Sequence, residues 1–185
     1  MKVTVVVDNC LLPRSKKPFR AEHGLALLLE TGDKKFLFDS GQSEVAVFNL
    51  ALLGVHPAEL DAIILSHGHY DHAGGLAATL VQAGKKLPVF CHADAFRARY
   101  ARGGGGVRFV GVPCVKERLA SLGAEFCLLR DRYELAPGLI ISGPVPRVTA
   151  YEKGDASLLA AGPDNSCGSA QDTVPDDMAI YHAGD

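Results

Sequence analysis

The chain has 185 residues, of which 48% are hydrophobic and 22% are charged, and its formal net charge is −2. This composition is typical of a globular protein with one core, so we expect a single domain over residues 1–185. It excludes a broad basic surface, and with that surface a nucleic-acid or membrane partner. A small molecule is therefore the expected ligand.

The cysteines and the N-terminal residues bear on the compartment in which the protein works. The cysteines are odd in number and widely spaced, with no CxxC pair, so we interpret them as reduced thiols: Cys10, Cys91, Cys114, Cys127 and Cys167. The apolar run after Lys2 ends at Asp8, before it reaches the length of a signal-peptide core. No later apolar run reaches the roughly 18 residues of a membrane helix. We therefore expect a cytoplasmic protein.

Predicted strands and helices alternate through the first half of the chain. Apolar and β-branched runs bounded by turn residues predict strands at residues 2–7, 25–30, 34–38, 62–65 and 87–91, with the second and third joined as a hairpin. Apolar periodicity predicts helices at residues 43–53, 75–82 and 94–102. Ser43 is the expected N-cap of the first helix, and Gly54 is its expected end.

The second half of the chain has a different pattern. Short apolar runs separated by Pro- and Gly-rich links predict strands at residues 126–129, 139–142 and 179–181. Residues 155–177 hold few large apolar side chains and many Gly, Ser, Asp and Pro, which predicts a long loop of the kind that often forms a lid. The chain as a whole is expected to be an α/β protein.

Three histidines and an aspartate follow the strand at residues 62–65, in the segment SHGHYDHAGG that spans residues 66–75. His67 and His69, two positions apart, can converge on one cation, while Asp71 and His72 turn toward a second cation beside it. Gly68 removes a Cβ where the backbone must bend. The alternative is an exposed polar turn, but four such residues within six positions at the end of a strand favour a metal site.

Two motifs carry a resemblance to a known family. The segment LSHGHYDHAGGL resembles the metal motif of the metallo-β-lactamase superfamily, and Phe38-Asp39-Ser40-Gly41 resembles the family's FDTG element. Further stretches are similar to a subgroup related to the dihydropterin-linked ribofuranosylaminobenzene phosphate synthase of methanopterin biosynthesis: residues 7–9, 21–25, 141–143 with 146–147, and 175–177. The resemblance implies an αββα sandwich, of which this chain would form the N-terminal part.

The resemblance also implies a pair of divalent metal ions. His67 and His69 would bind the first ion, Asp71 and His72 the second, and a histidine from later in the chain would complete each set. Zn²⁺ is the favoured metal, although His and Asp ligands leave Fe and Mn open. Such ions lower the pKa of bound water to about 7, so the implied activity is hydrolysis of a phosphate- or pterin-related small molecule. Asp71 would be catalytic, orienting the nucleophile or carrying a proton.

The sequence departs from the family pattern near its end. The later histidine normally lies in a Gly-Cys-Ser-His element, and the chain reaches Asp185 without one. We therefore expect the C-terminal part of the sandwich to be missing, with an exposed apolar sheet that promotes self-association. His182 ends a predicted strand with no helix after it, so it is not assigned as a ligand. A non-catalytic metal-binding or partner-binding fragment is the alternative to a hydrolase.

Several other polar residues have two interpretations each. Asp39 either accepts a hydrogen bond from a metal-binding histidine or caps the turn at Ser40. His23 and Glu22 either line a pocket or form an exposed pair, and His92, after a strand, is a candidate pocket residue. The arginines near the Gly run either steer an anionic substrate or form a solvated face: Arg97, Arg99, Arg102 and Arg108. Arg147 is a second candidate for an anion contact.

Overall fold

The computed structural model describes residues 1–11, 14–152, 154–162 and 170–183. The predictions for Cys167, for the middle of the loop at 155–177 and for the chain end at Asp185 lie outside these residues. Of the helices in the described ranges, none combines the length and the apolar character needed to cross a membrane.

The described residues form thirteen strands and four α-helices. The strands are β1 (Lys2–Val7), β2 (Ala26–Thr31), β3 (Lys34–Phe38), β4 (Ala62–Ile64), β5 (Leu87–His92), β6 (Arg99–Gly103), β7 (Gly106–Phe109), β8 (Ala124–Leu129), β9 (Tyr133–Ala136), β10 (Leu139–Pro144), β11 (Leu158–Ala160), β12 (Ala170–Gln171) and β13 (Met178–His182). The helices are α1 (Val45–Leu53), α2 (Tyr70–Ala73), α3 (Leu76–Ala83) and α4 (Lys116–Ser121), and short 3-10 turns lie at Pro57–Glu59 and Ala93–Phe96.

A six-stranded mixed sheet forms the centre of the fold, with the strand order β1-β2-β3-β4-β5-β8. β1, β2 and β3 are antiparallel neighbours, whereas β3, β4, β5 and β8 run parallel. The parallel strands bury apolar residues on both faces: Leu37 and Ile63 belong to one core, and Phe36 and Ile64 belong to the other. Strands of this kind need a covering layer on each side of the sheet.

Helices cover one face of this sheet, and a second sheet covers the other. α1, α3 and α4 contribute Leu50, Leu76 and Leu119 to the first core. The second sheet, with the order β13-β10-β9, contributes Leu139 and Ile141 to the second core. The predicted α/β fold class is confirmed, and the described residues supply three successive layers of an αββα sandwich.

Local signals account for most element bounds. The hairpin of β2 and β3 forms as predicted, and α1 ends at Gly54, whose φ of 80° lies in the left-handed region that glycine adopts readily. The predicted N-cap is wrong, because Glu44 occupies that position without a side-chain hydrogen bond. Ser43 lies one residue earlier, where its hydroxyl donates to Glu22 Oε2 at 2.6 Å.

The prediction of a helix at residues 94–102 is wrong. The 3-10 turn at Ala93–Phe96 is followed by the hairpin of β6 and β7, which turns within the Gly run. β6 also pairs with β11, and β11 pairs with β12, inside the region predicted as a long loop. This distant segment satisfies the backbone of β6, and no pattern within residues 94–102 reveals the contact. α4 and β9 have no counterpart among the predicted elements.

Candidate metal centre

The motif segment, which we call the motif loop (residues 66–75), lies at the carboxyl end of β4. It contains α2, leads into α3 and is held from two sides. The Tyr70 N–H donates to the Val110 carbonyl at 3.0 Å, and the Met178 N–H donates to the Ser66 carbonyl at 2.9 Å. Because β3, β4 and β5 run parallel, the residues that follow them meet at the same sheet edge, where open α/β sheets place their ligand sites.

Gly68 lies where the motif loop leaves no room for a side chain against another part of the backbone. A Cβ at this position would lie 1.7 Å from the carbonyl oxygen of Ala95, in the 3-10 turn after β5. At Gly75 the corresponding distance, to the carbonyl oxygen of Ser40, is 2.1 Å. The sequence predicts a need for glycine at position 68, and the structure gives the reason as close packing against a neighbouring turn.

The structure brings together the four residues predicted to bind metal. The ring centroids of His67 and His72 are 4.2 Å apart, and those of His67 and His69 are 4.8 Å apart. Asp71 Oδ2 lies 3.5 Å from Nε2 of His72 and 3.4 Å from Nε2 of His23. Three imidazoles and a carboxylate therefore share one small region at the sheet edge.

Asp39, which directly follows β3, anchors His72. Its Oδ2 lies 2.7 Å from Nδ1 of His72, and its Oδ1 accepts the backbone N–H of Ser66 at 2.7 Å. Burial lowers the pKa of His72, but the hydrogen bond and the charge of Asp39 outweigh burial, so the pKa lies above its ordinary value. Of the two interpretations of Asp39, the structure therefore supports the hydrogen bond to a motif histidine. Asp39 makes it from a φ of 59°, a conformation uncommon outside glycine.

His67 is anchored by the neighbouring Ser66. The hydroxyl of Ser66 donates to Asp39 Oδ2 at 2.7 Å and lies 2.9 Å from Nδ1 of His67, from which it accepts a hydrogen bond. Burial, followed by the charge of His72, lowers the pKa of His67 to about 2. The His67 ring is therefore neutral at physiological pH, and its Nε2 carries the lone pair.

His69 is anchored by a residue 103 positions later in the chain. Its Nε2 lies 3.1 Å from Oδ2 of Asp172, and the same oxygen accepts a hydrogen bond from Nη1 of Arg99 at 2.8 Å. Burial raises the pKa of Asp172, but the hydrogen bond to His69 and the charge of Arg99 outweigh burial and lower the pKa to about 2. A second carboxylate, Asp176, accepts from Nη2 of Arg99 and from the backbone N–H of Gly68, the latter at 2.8 Å.

Asp172 and Asp176 are the site residues that the sequence interpretation misses. Both lie in the segment predicted as a long loop. The signal for Asp176 is the match of residues 175–177 to the subgroup, and Asp172 has no such signal. Arg99 neither steers an anionic substrate nor forms part of a solvated face, so both interpretations are wrong. Its side chain is 0% exposed and paired with these two carboxylates.

Two of the other candidates lie beside the motif loop. His23 has its Nε2 near Asp71 and its Nδ1 2.8 Å from Asn9 Oδ1, and its side chain is 63% exposed. The guanidinium carbon of Arg108 lies 5.4 Å from the centroid of the Tyr70 ring, at the exposed end of β7. His23 and Arg108 therefore form part of an exposed rim beside Asp71 and Tyr70.

The remaining candidates make local contacts away from the motif histidines. Glu22 accepts two backbone N–H groups just before α1, and Nδ1 of His92 accepts a backbone N–H of the following 3-10 turn at 3.1 Å. Arg97 donates to the carbonyl that follows β11, and Arg102 is exposed on β6. Arg147 lies 3.9 Å from a carboxylate of the segment before β13. The prediction of His92 as a pocket residue gains no support from these contacts.

Each motif histidine has one ring nitrogen anchored by a hydrogen bond, and the opposite nitrogen makes no hydrogen bond to the described residues, with Nε2 of His72 lying 3.5 Å from Asp71 Oδ2. This donor chemistry fits divalent cations, with His67 and His69 available to one ion and Asp71 and His72 to another. In the described ranges, no three His, Cys, Asp or Glu side chains are arranged so that they could hold a single ion. His182 does not add to the set, because it is exposed at the end of β13, beside Gly138.

The fold and the motif together define the class of protein, and the chain belongs to the metallo-beta-lactamase superfamily, whose family model matches residues 20–177. The uncharacterized protein MJ0448 of Methanocaldococcus jannaschii is 32% identical over 183 residues, which cover 98% of this chain and 66% of that protein. The 7,8-dihydropterin-6-methyl-4-(β-D-ribofuranosyl)-aminobenzene-5'-phosphate synthase of the same organism is 35% identical over 135 residues, which cover 69% of this chain and 46% of the synthase. The name of the second relative matches the subgroup that the sequence motifs indicate.

A solved structure is also similar in fold. The quorum-quenching N-acyl homoserine lactone hydrolase is 21% identical, with a TM-score of 0.48, over 86% of this chain and 55% of that one. The chain therefore spans less than two thirds of the length of each of these three proteins.

Proposed function

We propose that the protein is a metal-dependent hydrolase that acts on a phosphate- or pterin-related small molecule and uses two divalent ions, with Zn²⁺ favoured and Fe or Mn open. His67 and His69 would hold one ion, and Asp71 and His72 the other. When bound, the ions would activate water as a nucleophile at neutral pH. The observation that carries the proposal is that each motif histidine is anchored through one ring nitrogen by its own polar partner.

Anchoring of this kind is what a metal site requires of its own chain. A histidine binds a cation through the lone pair of an unprotonated ring nitrogen, so its tautomer and ring orientation must be fixed. The anchoring carboxylates of Asp39 and Asp172 are 0% and 2% exposed, and both are buried behind the motif loop. An exposed polar turn, the alternative interpretation, would have solvent as its partner and would not need two buried carboxylates.

Asp71 and His23 are suited to moving protons during hydrolysis. The carboxylate of Asp71 can take up a proton from attacking water, and it lies 3.4 Å from Nε2 of His23. The exposed imidazole of His23 can then pass that proton to solvent. We therefore assign Asp71 two roles, as a metal ligand and as a proton carrier, and His23 the role of its proton partner.

The proposed substrate class follows from the relatives and from the rim of the site. One relative is named as a synthase of a pterin-linked 5'-phosphate, although the chain covers only 46% of that protein. Arg108, over the ring of Tyr70, places a guanidinium beside the motif loop, where it can pair with a phosphate oxygen. A small anionic substrate is compatible with both observations.

The first test is the metal content per chain, measured by elemental analysis on the wild-type protein, on His67→Ala and on His182→Ala. His182 is exposed at the end of β13, beside Gly138, so it serves as the matched control. We expect the wild type and His182→Ala to retain the same content and His67→Ala to lose metal. A wild-type chain without metal, or a His67→Ala variant with the full wild-type content, would contradict the proposal.

Turnover of a generic phosphodiester and a generic thioester separates the hydrolase from a second candidate, a non-catalytic metal-binding or partner-binding protein. That candidate is favoured by one observation, the lack of a third donor for either ion among the described residues. A catalytic ion needs a complete set of protein ligands besides an open position. Turnover that disappears together with the metal supports the hydrolase, and bound metal without turnover supports the second candidate.

A further inference from the structure

Arg99 is a fully buried arginine that lies behind the motif loop. Its side chain, on β6, is 0% exposed and donates to two carboxylates that are themselves buried, Asp172 and Asp176. A buried ion pair is weak grounds for stability, since apolar residues of similar volume often do as well. The position of this cluster therefore calls for an explanation beyond the stability of the fold.

The two carboxylates contact the motif loop at adjacent residues. Asp172 contacts the ring of His69, with Oδ2 3.1 Å from Nε2. Asp176 contacts the backbone next to it, because its Oδ2 accepts the N–H of Gly68 at 2.8 Å. One guanidinium thus fixes the side chain of His69 through one carboxylate and the main chain before it through the other.

The contact with Asp172 determines which nitrogen of His69 is protonated. Asp172 is ion-paired with Arg99 at 2.8 Å, and its Oδ1 accepts the backbone N–H of Val174 at 2.9 Å, so the group is an ionised carboxylate. An ionised carboxylate can only accept hydrogen bonds, and Nε2 of His69 must therefore be the donor. In the neutral form of the ring, which has a single N–H, a donor at Nε2 leaves the lone pair on Nδ1.

We propose that Arg99 is a positioning residue for the metal centre, which selects the Nε2–H tautomer of His69 through Asp172 and fixes the HxH backbone through Asp176. The inference rests on the proposed metal-binding function and extends it to residues outside the motif loop. A guanidinium suits this task because its planar fork presents two N–H groups in fixed directions to two separate acceptors. A lysine could also offset the negative charge of the two carboxylates, but its ammonium group is a single point charge without the fixed fork of N–H groups.

The first experiment uses the unmodified, metal-free chain. Long-range ¹H–¹⁵N NMR distinguishes the two imidazole tautomers by the chemical shifts of their nitrogens. We expect His69 to be the Nε2–H tautomer at neutral pH and His67, whose Nδ1 faces Ser66, to be the Nδ1–H tautomer. A His69 ring that carries its proton on Nδ1 would overturn the proposal. This measurement needs no metal, so its result does not depend on whether the proposed function holds.

The second experiment compares Arg99→Met, Arg99→Lys and Arg97→Met by competition titration of Zn²⁺ and by the same NMR spectrum. Arg97 is the matched control, because it lies two positions away and donates to a backbone carbonyl instead of a carboxylate of the cluster. We expect Arg99→Met to bind Zn²⁺ about 10- to 100-fold more weakly, with mixed tautomers of His69. Arg99→Lys should recover part of the affinity, and Arg97→Met should match the wild type.

If Arg99→Met does not fold, Asp172→Asn takes its place, since it keeps the shape of the side chain and removes its charge. Asparagine can present either its oxygen or its amide to Nε2, so mixed tautomers are again expected. Wild-type affinity together with an unchanged tautomer, in whichever variant folds, would overturn the positioning role. A wild-type chain that binds no Zn²⁺ would contradict the proposed function instead, while the tautomer measurement would still decide the role of Asp172.

Discussion

The motif loop and the buried cluster that supports it differ in how far apart their residues lie in the sequence. His67, His69, Asp71 and His72 lie within six positions, and the sequence displays them together. The supporting residues Arg99, Asp172 and Asp176 come from a hairpin strand and from the segment before β13, and Asp176 reaches Gly68 across 108 positions of the chain. The motif residues can therefore be found from the sequence, whereas the residues that support them in space cannot.

The difference follows from what each region must do. Metal donors have to be particular residue types at close and fixed separations, which a short loop after a buried strand provides. A supporting carboxylate needs only to arrive at the right place, and any element of the fold can deliver it. Residue type and spacing thus identify the donors, whereas the three-dimensional pairing of β6 with β11, and of β11 with β12, identifies the support.

The largest expected effect concerns chemistry within the motif loop. In Asp71→Asn, turnover of the phosphodiester should fall about 10²- to 10⁴-fold, because an amide cannot take up the proton that a carboxylate accepts. Asp94→Asn is the control, since that side chain is 53% exposed in the 3-10 turn after β5. Steady-state kinetics at matched metal content make the comparison. Undiminished turnover in Asp71→Asn would contradict the assignment of Asp71 as the proton carrier.

The next effect concerns the packing of the loop against its surroundings. A Cβ at Gly68 would meet a backbone carbonyl at 1.7 Å, and a backbone atom cannot move aside as a side chain can. In Gly68→Ala the free energy of unfolding should therefore fall by about 3 kcal/mol, the upper end of the usual cost of overpacking. Urea denaturation measures it, with Gly104→Ala as the control.

Gly104 has no atom within 4 Å of its ideal Cβ, so Gly104→Ala should change the free energy of unfolding by less than about 0.5 kcal/mol. Equal costs at the two positions would mean that the loop is free to shift away from Ala95. The motif loop would then not be held in a fixed position by its surroundings.

The same contrast explains how far the fold could be predicted. β4 is a continuous apolar run, and β3 and β5 contain the apolar runs Phe36 to Phe38 and Val89 to Cys91, because both faces of the central sheet are buried there, so these strands can be predicted from local sequence. β6 cannot be predicted in this way, because its five residues, Arg99 to Gly103, contain no apolar run and its pairing partner lies far along the chain. Asp39 was accessible through its motif, whereas Asp172 became visible only through the tertiary contact with His69.

A smaller effect concerns the ionisation of the supporting cluster. The pKa of Asp172 is lowered from 3.8 to about 2 in the folded chain, so this group stabilises the fold at pH values above about 4 and loses that contribution as pH falls toward 2. The shift corresponds to about 2 kcal/mol. The difference in unfolding free energy between the wild type and Asp172→Asn should therefore shrink by about this amount between pH 5 and pH 2. A pH-independent difference would indicate that Asp172 is not ionised behind the loop.

The smallest effect concerns His92, which ends β5 at the same sheet edge as the motif loop. Position at a strand end makes it a candidate for the site, but its Nδ1 accepts the N–H of Asp94 at 3.1 Å and so caps the 3-10 turn. In His92→Ala the free energy of unfolding should fall by about 1 kcal/mol, as for the loss of a cap, with metal content unchanged. Thermal denaturation and elemental analysis measure the two quantities. Loss of metal in His92→Ala would mean that position at the sheet edge is sufficient for a residue to take part in the metal site. Unchanged metal content would mean that the residue must also direct a free ring nitrogen toward the other donors.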